Sequence, residues 1–435
     1  LKNKKYKALA LSASKLGISS TSINSQALTI VKALTKAKYE AYLVGGCVRD
    51  LLLGAEPKDF DIATSATPEQ IKSVLPSTRI IGRRFRLAHV HFGREYYEVA
   101  TFRAPHDSSD KGKVGQEGRI THDNVYGTIE EDAVRRDFAI NALFYDVQND
   151  KILDFVGGMD DLEKRQLRLI GDPETRYRED PVRMLRAIRF AGKLGLSIEE
   201  KSEAPIRELA PLLTNIASAR LFDESLKLFH SGKALPVLEL LREYGLFECL
   251  FPATEEALGK DKDGFFKALI YDSLNNTDTR INAGMSVTPA FLFAVMLWKP
   301  MKKLEAAYRE ESYPDLQAMQ LASSDILAQQ VKSTAVPRRF SNVTREIWLQ
   351  QSRFEQKSHR RAMGFLDNRR FRAAFDFLCL RSVAEKNVEL QADAAWWEEF
   401  QRVDSEAQIE MCNSAPSAKK KRRRSSSKRR GKPRT

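Results

Sequence analysis

The segment Leu43-Val44-Gly45-Gly46-Cys47-Val48-Arg49-Asp50, with Lys58-Asp59-Phe60-Asp61-Ile62 close behind it, constrains this chain more than any other. An apolar run enters a Gly-Gly turn, and two aspartates then stand two apart in apolar surroundings. In an extended strand residues i and i+2 share a face, so Asp59 and Asp61 would project side by side. Adjacent carboxylates repel unless a cation lies between them, and hard oxygen ligands beside phosphates suit Mg²⁺. Gly45 and Gly46 carry no side chain, so an anionic ligand can approach their N–H groups closely. Either motif alone is commonplace, as a turn or as a surface Asp-x-Asp. Together, with Arg49 and Asp50 between them, they point to a nucleoside triphosphate held against divalent metal.

The 435 residues allow two or three domains with proper cores. Cys47, Cys249, Cys379 and Cys412 are scattered and form no C-x-x-C pair, which argues against a disulfide framework or zinc site and fits a reducing compartment. His89 and His91 can share a strand face, a pairing more often structural than ligating. No apolar run approaches the roughly 18 residues of a membrane span and no signal-peptide core is seen, so the expected compartment is the cytoplasm. The chain opens on Leu1, which points to an upstream segment or an unusual start. Its first 39 residues hold eight lysines but no arginine and no acid, unlike a mitochondrial presequence. Net charge is +13, yet eleven Lys and Arg lie between Lys419 and Thr435 with no acid among them, so the rest of the chain is nearly balanced. That run, interleaved with Ser425-Ser426-Ser427, cannot bury enough apolar surface to fold alone. It is expected to be a disordered arm for nucleic acid or an acidic partner.

Patterning along the chain supplies the elements. Ser25 to Lys38 carries Ala27, Ile30, Val31 and Leu34 at helical spacing. Ala41 to Val44 reads as a buried strand, Arg49 to Leu53 as a helix opened by the Gly-Gly turn, and Phe60 to Ala63 as the strand bearing the acids. Thr67-Pro68-Glu69-Gln70 reads as a helix cap with Pro at the first helical position. Leu87 to Phe92 and Tyr97 to Phe102 alternate around Gly93-Arg94-Glu95 as a hairpin, and Phe144 to Val147 with Lys151 to Phe155 make a second. Ala104 to Gly127 is polar with four glycines, a long mobile loop. Glu131 to Leu143 is expected to be a helix carrying Arg135-Arg136-Asp137, and Met159 to Lys164 another. From Pro181 onward the pattern is almost wholly helical, most clearly at Leu221 to Phe229, Ala234 to Tyr244, Ala290 to Trp298, Asp315 to Val331, Thr344 to Gln351 and Arg369 to Arg381. The expected class is α+β: a small mixed head of about five strands, then a long all-α neck and body.

Taken in order, Gly45-Gly46-Cys47-Val48-Arg49-Asp50, Asp59-Phe60-Asp61, Arg135-Arg136-Asp137-Phe138-Ala139-Ile140-Asn141 and Glu179-Asp180-Pro181-Val182-Arg183 resemble the motifs of the class II nucleotidyltransferases of the DNA polymerase beta superfamily. That family includes tRNA CCA-adding enzymes and bacterial poly(A) polymerases. The likeness runs from about Ile30 to Lys227 and more weakly to about Phe400, and Cys47 stands where Gly or Ala is expected. The stretch Ile80 to Val90, with Arg83-Arg84-Phe85 at its centre, is similar to the bacterial poly(A) polymerases. Leu221 to Lys227, Asn276 to Arg280, Pro289 to Phe293 and the basic arm add to that likeness. The expected division is a basic N-terminal arm over residues 1–24, a nucleotidyltransferase head over 25–156, a helical neck over 157–230, an RNA-binding body over 231–405 and the tail over 406–435.

The resemblance implies attack of an RNA 3′-hydroxyl on the α-phosphate of ATP, with release of pyrophosphate and two Mg²⁺ ions. Asp59 and Asp61 are then the metal ligands. The resemblance carries the third carboxylate onto Asp137, whereas strand logic offers Glu98 on the neighbouring Tyr97-Glu98-Val99 run. Arg49, Arg135 and Arg136 join Gly45 and Gly46 at the triphosphate, where guanidinium forks match phosphate geometry. Asn141, one helical turn beyond Asp137, would orient the ribose or the acid. In the resembling family Asp180 and Arg183, on one helix face, read the edge of the incoming base. Arg83, Arg84, Phe85, Arg186 and Arg189 are expected on RNA, the aromatic stacking on a base. The expected partners are RNA 3′ ends and ATP, with RNA-decay or acidic proteins on the tail. Two other readings stand beside this one: a CCA-adding enzyme using CTP and ATP, and an RNA-binding protein with a decayed site.

Overall fold

The computed structural model describes residues 8–82, 86–104 and 125–415. Arg83, Arg84 and Phe85, nearly all of the expected 104–127 loop, the first seven residues and the tail from 416 lie outside them. The chain divides into two compact units. One comprises the described residues up to Ala217 with Lys227–Cys249, the other Ser218–Leu226 with the chain from Leu250.

The first unit is built on one mixed sheet of eight strands, more than the five or so expected. In chain order they are β1 (Leu9–Ser12), β2 (Ala41–Val44), β3 (Asp61–Thr64), β4 (Thr78–Ile81), β5 (Leu87–Phe92), β6 (Glu95–Thr101), β7 (Leu143–Asp146) and β8 (Lys151–Asp154). Across the sheet the order is β1-β8-β7-β2-β3-β6-β5-β4. Every neighbouring pair is antiparallel except β3 and β6. The additions are β1 and β4. Both are four residues long, too short for alternation to show, and β1 follows a lysine-rich start.

Helices sort by the faces they cover. Helix α1 (Ser25–Lys36) buries Ala27, Ile30, Val31 and Leu34, the stripe read from the sequence. Asn24 caps it by accepting from the N–H groups of Gln26 and Ala27. Helix α2 (Gly46–Leu52) follows the glycine turn, and α3 (Pro68–Val74) starts on a reciprocal Thr67/Gln70 capping box. Helix α4 (Ile129–Arg135) lays Ile129 and Ala133 on Val44, Ala63, Phe102 and Phe144, so it covers β2, β3 and β7 on the Asp61 face. Helix α5 (Gly158–Glu163) approaches the Ala139–Asn141 turn so closely that a Cβ on Gly158 would stand 2.2 Å from the Ala139 carbonyl oxygen. Gly158→Ala is therefore expected to cost about 1–3 kcal/mol of stability, read as a lower unfolding midpoint in urea. An unchanged midpoint would contradict this packing.

Helices α6 (Pro173–Glu179) and α7 (Val182–Leu194) complete the part of this unit that bears on the site. Among the described residues the elements of the second unit are helices, including Phe265–Asn282, Trp298–Glu310 and Val388–Phe400, which the apolar pattern did not single out. Its aromatic core gathers Phe354, Phe365, Phe371, Phe375, Trp397 and Phe400. The Trp397 indole donates to the Phe354 carbonyl at 2.9 Å. Among the described residues no helix is long and apolar enough to cross a membrane.

Candidate active site

Strand register builds the site. Val44 lies opposite Asp61, so antiparallel pairing of β2 with β3 sets the Gly45 turn just beyond Asp61, the first residue of β3; Asp59 stands two residues ahead of the strand and not on it as expected. Parallel pairing of β3 with β6 sets Ile62 opposite Val99, which puts Glu98 in the same cross-strand row as Asp61. Asp59, Asp61 and Glu98 line one cavity of about 1150 Å³; Asp61 keeps an accessible edge towards it although protein crowds most of the space around its carboxyl. The Asp61 carboxyl is pushed up to about 6, first by the loss of water around it and then by repulsion from Glu98 and Asp59, while Arg136 pulls the other way. Among the described residues no three His, Cys, Asp or Glu side chains form a ready-made metal cage. Crowded carboxylates with too little positive charge around them nonetheless fit Mg²⁺, which takes one or two carboxylates and completes its shell with water and substrate phosphates. Cys47 is buried beneath the site, its Sγ within 3.3 Å of the Val44 carbonyl. Burial and then Asp61 push its thiol up to about 12, so it serves as a small packing residue.

The glycine turn has a backbone reason. Gly45 has φ 78° and ψ −128°, a conformation that strains any L side chain, and a Cβ there would meet Arg136 Nη1 at 3.4 Å. Arg136 leans over Phe144, is held by Asp132 at 3.0 Å and donates to the Asn141 carbonyl at 3.3 Å. It is the cation that both borders Gly45 and acts on Asp61. Arg49 is placed differently from the expectation of a phosphate contact. It is buried, 5% exposed, and its guanidinium donates to Asp50 and, at 2.6 Å, to the Asn141 side chain. It ties α2 to the Ala139–Asn141 turn. Arg135 donates to the Ala104 carbonyl at 3.3 Å.

The helix expected over Glu131 to Leu143 stops at Arg135. Arg136 is extended, with ψ 166°, and Phe138 bridges to Leu169, so Asp137 and Asn141 are not one helical turn apart. The chain leaves the helix because this segment joins β-type pairing: Ile170 N–H donates to the Asp137 carbonyl, and Ala139 N–H to that of Arg168. The Asp137 carboxylate accepts from Arg186 at 2.6 Å and from the Phe138 N–H at 2.9 Å. Burial alone would raise it, but Arg186, that N–H and Arg136 more than offset burial and hold it below the usual carboxylate range. Glu98, and not Asp137, is among the charges that act on Asp61.

Asp180 and Arg183 do not share a helix face either. Asp180 is extended between α6 and α7, and its carboxylate accepts from the Val182 N–H at the start of α7. Arg183 donates to the Arg176 carbonyl at 2.6 Å and to Glu179 at 2.9 Å. Three residues that sequence reading passed over join these parts. Asp132 holds Arg136. Arg176 donates to the carbonyls of both Arg135 and Arg136, closing the end of α4. Phe190 has Arg49, Arg186 and Arg189 around one ring, their guanidinium carbons 5.4, 5.6 and 4.4 Å from its centre. A Phe within the basic face of α7 was the available signal.

A glycine turn, an Asp59-x-Asp61 segment that runs into β3 and an acid on the adjoining strand are the arrangement of a nucleotidyltransferase head. Residues 41–168 match the family described as "Poly A polymerase head domain", 195–258 "Probable RNA and SrmB- binding site of polymerase A", and 311–431 "Polymerase A arginine-rich C-terminus". Poly(A) polymerase I of Salmonella typhimurium is 48% identical over 403 residues, 91% of this chain and 86% of that protein. The CCA-adding enzyme of Geobacillus thermodenitrificans is 40% identical over 221 residues, covering 51% of this chain and 53% of that protein. Among solved structures, the Bacillus stearothermophilus CCA-adding enzyme in complex with CTP matches with a TM-score of 0.58 at 27% identity, over 86% of this chain and 80% of that one. The chain belongs to the poly(A) polymerase family.

Proposed function

We infer that this protein is a polynucleotide adenylyltransferase that adds AMP from ATP to RNA 3′ ends without a template and releases pyrophosphate. One observation carries the reading: sequence likeness to poly(A) polymerase I spans nine-tenths of the chain at 48% identity, whereas sequence likeness to the Geobacillus CCA-adding enzyme covers about half, the rest of the resemblance to CCA-adding enzymes being one of fold. Intact acids at Asp59, Asp61 and Glu98 speak against a decayed site.

In this reading Asp59, Asp61 and Glu98 hold the metal, and Glu98 takes the third-carboxylate role expected of Asp137. Two bound Mg²⁺ ions would supply Lewis-acid stabilisation of the attacking and leaving oxygens. Gly45 and Gly46 leave room for the triphosphate, and Arg136 supplies positive charge beside it, with Arg135 next along the chain. Asp137 keeps Arg186 in place, and Arg49 with Asn141 fixes the turn. Asp180 and Arg183, each anchored at the α6–α7 junction, are assigned to the incoming base. Arg83, Arg84, Phe85, Arg186 and Arg189 are assigned to RNA, and the division into head, neck and body at residues 156 and 230 is kept. The test supplies ATP alone, then CTP alone, with a short unstructured RNA. Long A-tails with ATP and almost none with CTP are expected; stepwise C addition confined to tRNA ends would establish the CCA-adding reading instead.

A further inference from the structure

Helix α4 covers the Asp61 face over β2, β3 and β7, while the same face of β5 and β6 carries polar and aromatic groups. In the register of these strands His89 stands opposite Glu98 and His91 opposite Tyr96. The Tyr96 ring lies flat on His89, with centroids 4.3 Å apart and planes within 9°. His89 in turn places Nε2 3.5 Å from Glu98 Oε1. A continuous row of contacts thus runs from the acid beside Asp61 to a tyrosine that is 52% exposed. Tyr96 lines the same cavity as Asp59, Asp61 and Glu98, and so do Lys58 and Arg94.

These parts suit one ligand chemistry. A half-exposed aromatic ring offers a π-face that any nucleobase can stack on, and lysine and arginine beside it can meet a sugar-phosphate backbone. The cavity they line, about 1150 Å³, is wide enough to admit a strand end beside the acids. We propose that Tyr96, backed by His89, is the stacking platform for the last base of the acceptor RNA and holds its 3′-hydroxyl beside Asp59, Asp61 and Glu98. Lys58 and Arg94 receive the adjoining phosphates. The proposal rests on the adenylyltransferase reading, because it takes the strand end as the acceptor. A competing account is that Tyr96 and His89 only stiffen the β5–β6 hairpin, since cross-strand aromatic pairs do that as well.

The experiment uses the full chain and a short RNA with 2-aminopurine as its 3′-terminal base, titrated in EDTA so that binding is read apart from turnover. Stacking is expected to quench the fluorophore in the wild-type protein. Tyr96→Ala is expected to abolish the quench and raise the RNA Kd about tenfold, Tyr96→Phe to retain both, and the KM for ATP to stay unchanged. Unaltered quenching and Kd in Tyr96→Ala would overturn the platform. So would a lowered unfolding midpoint with RNA and ATP parameters worsening together, the signature of a hairpin brace. If the wild type quenches fully yet incorporates no adenylate when Mg²⁺ and ATP are supplied, the platform stands as an RNA-end site and the adenylyltransferase reading fails.

Discussion

Asp61→Asn is expected to lower the turnover number for adenylate addition about a thousandfold while leaving RNA affinity in EDTA unchanged, since metal-borne charge stabilisation is worth several kcal/mol. The same carboxyl sets a pH dependence. Its pKa is raised to about 6, against about 4 in an unfolded chain. Below about pH 6 protons compete with the cation, so apparent Mg²⁺ affinity should fall about tenfold per pH unit in the wild type. For stability the sign follows from the raised value. The contribution of protonated Asp61 is fully present below about pH 4 and is lost as pH rises through about 6. The metal-free wild type should therefore lose melting temperature relative to Asp61→Asn between those limits, and Mg²⁺ at neutral pH should raise the melting temperature of the wild type alone. Parallel melting curves for the two proteins, with and without Mg²⁺, would remove Asp61 from the metal site.

Asp137→Asn and Glu98→Gln are expected to fail in different ways. Asp137 faces Arg186 at 2.6 Å with its own side chain only 14% exposed, and neutralising it removes a charge-assisted hydrogen bond from a largely dry site. About 2 kcal/mol of stability should be lost, read by urea denaturation, with RNA binding weakened in step. The pKa of Asp137 is depressed, so its contribution is present above about pH 4 and is lost as pH falls through the folded-state value. Glu98→Gln removes repulsion from Asp61 and should leave stability equal or slightly higher, yet turnover should fall by about a hundredfold and the Mg²⁺ requirement should rise. A stable but inactive Asp137→Asn protein beside an active Glu98→Gln protein would return the third-carboxylate role to Asp137.

What could be read from the chain without coordinates divides along a physical line. Ala41–Val44 and the stripe Ala27, Ile30, Val31 and Leu34 were legible because burial imposes a period on residue type. The Thr67-Pro68 cap was legible because its chemistry is local. Asp59 and Asp61 stood out for the same reason, two acids two apart in apolar company. Glu98 reaches Asp61 through the one parallel pairing in the sheet; strand logic could offer it as a neighbour but not its register, whereas the role expected of Asp137 came from the family resemblance. The Arg135-to-Asn141 segment reads as helix by composition and becomes a bridge and a tight turn because Leu169 and Arg168 supply partners from a distant stretch. Arg49 reads as a phosphate ligand until Asn141 and Asp50 occupy its guanidinium.

The pairing of Leu9 with Asp154 and of Ser12 with Lys151 has a consequence for synthesis. During synthesis β1 must wait for β8, which comes last of the eight strands in the chain, before it has this neighbour. Until then its backbone groups have only water to bond to. Loss of that leading strand by proteolysis would in turn leave the backbone of β8 open along one side, an invitation to intermolecular strand addition far from the acids.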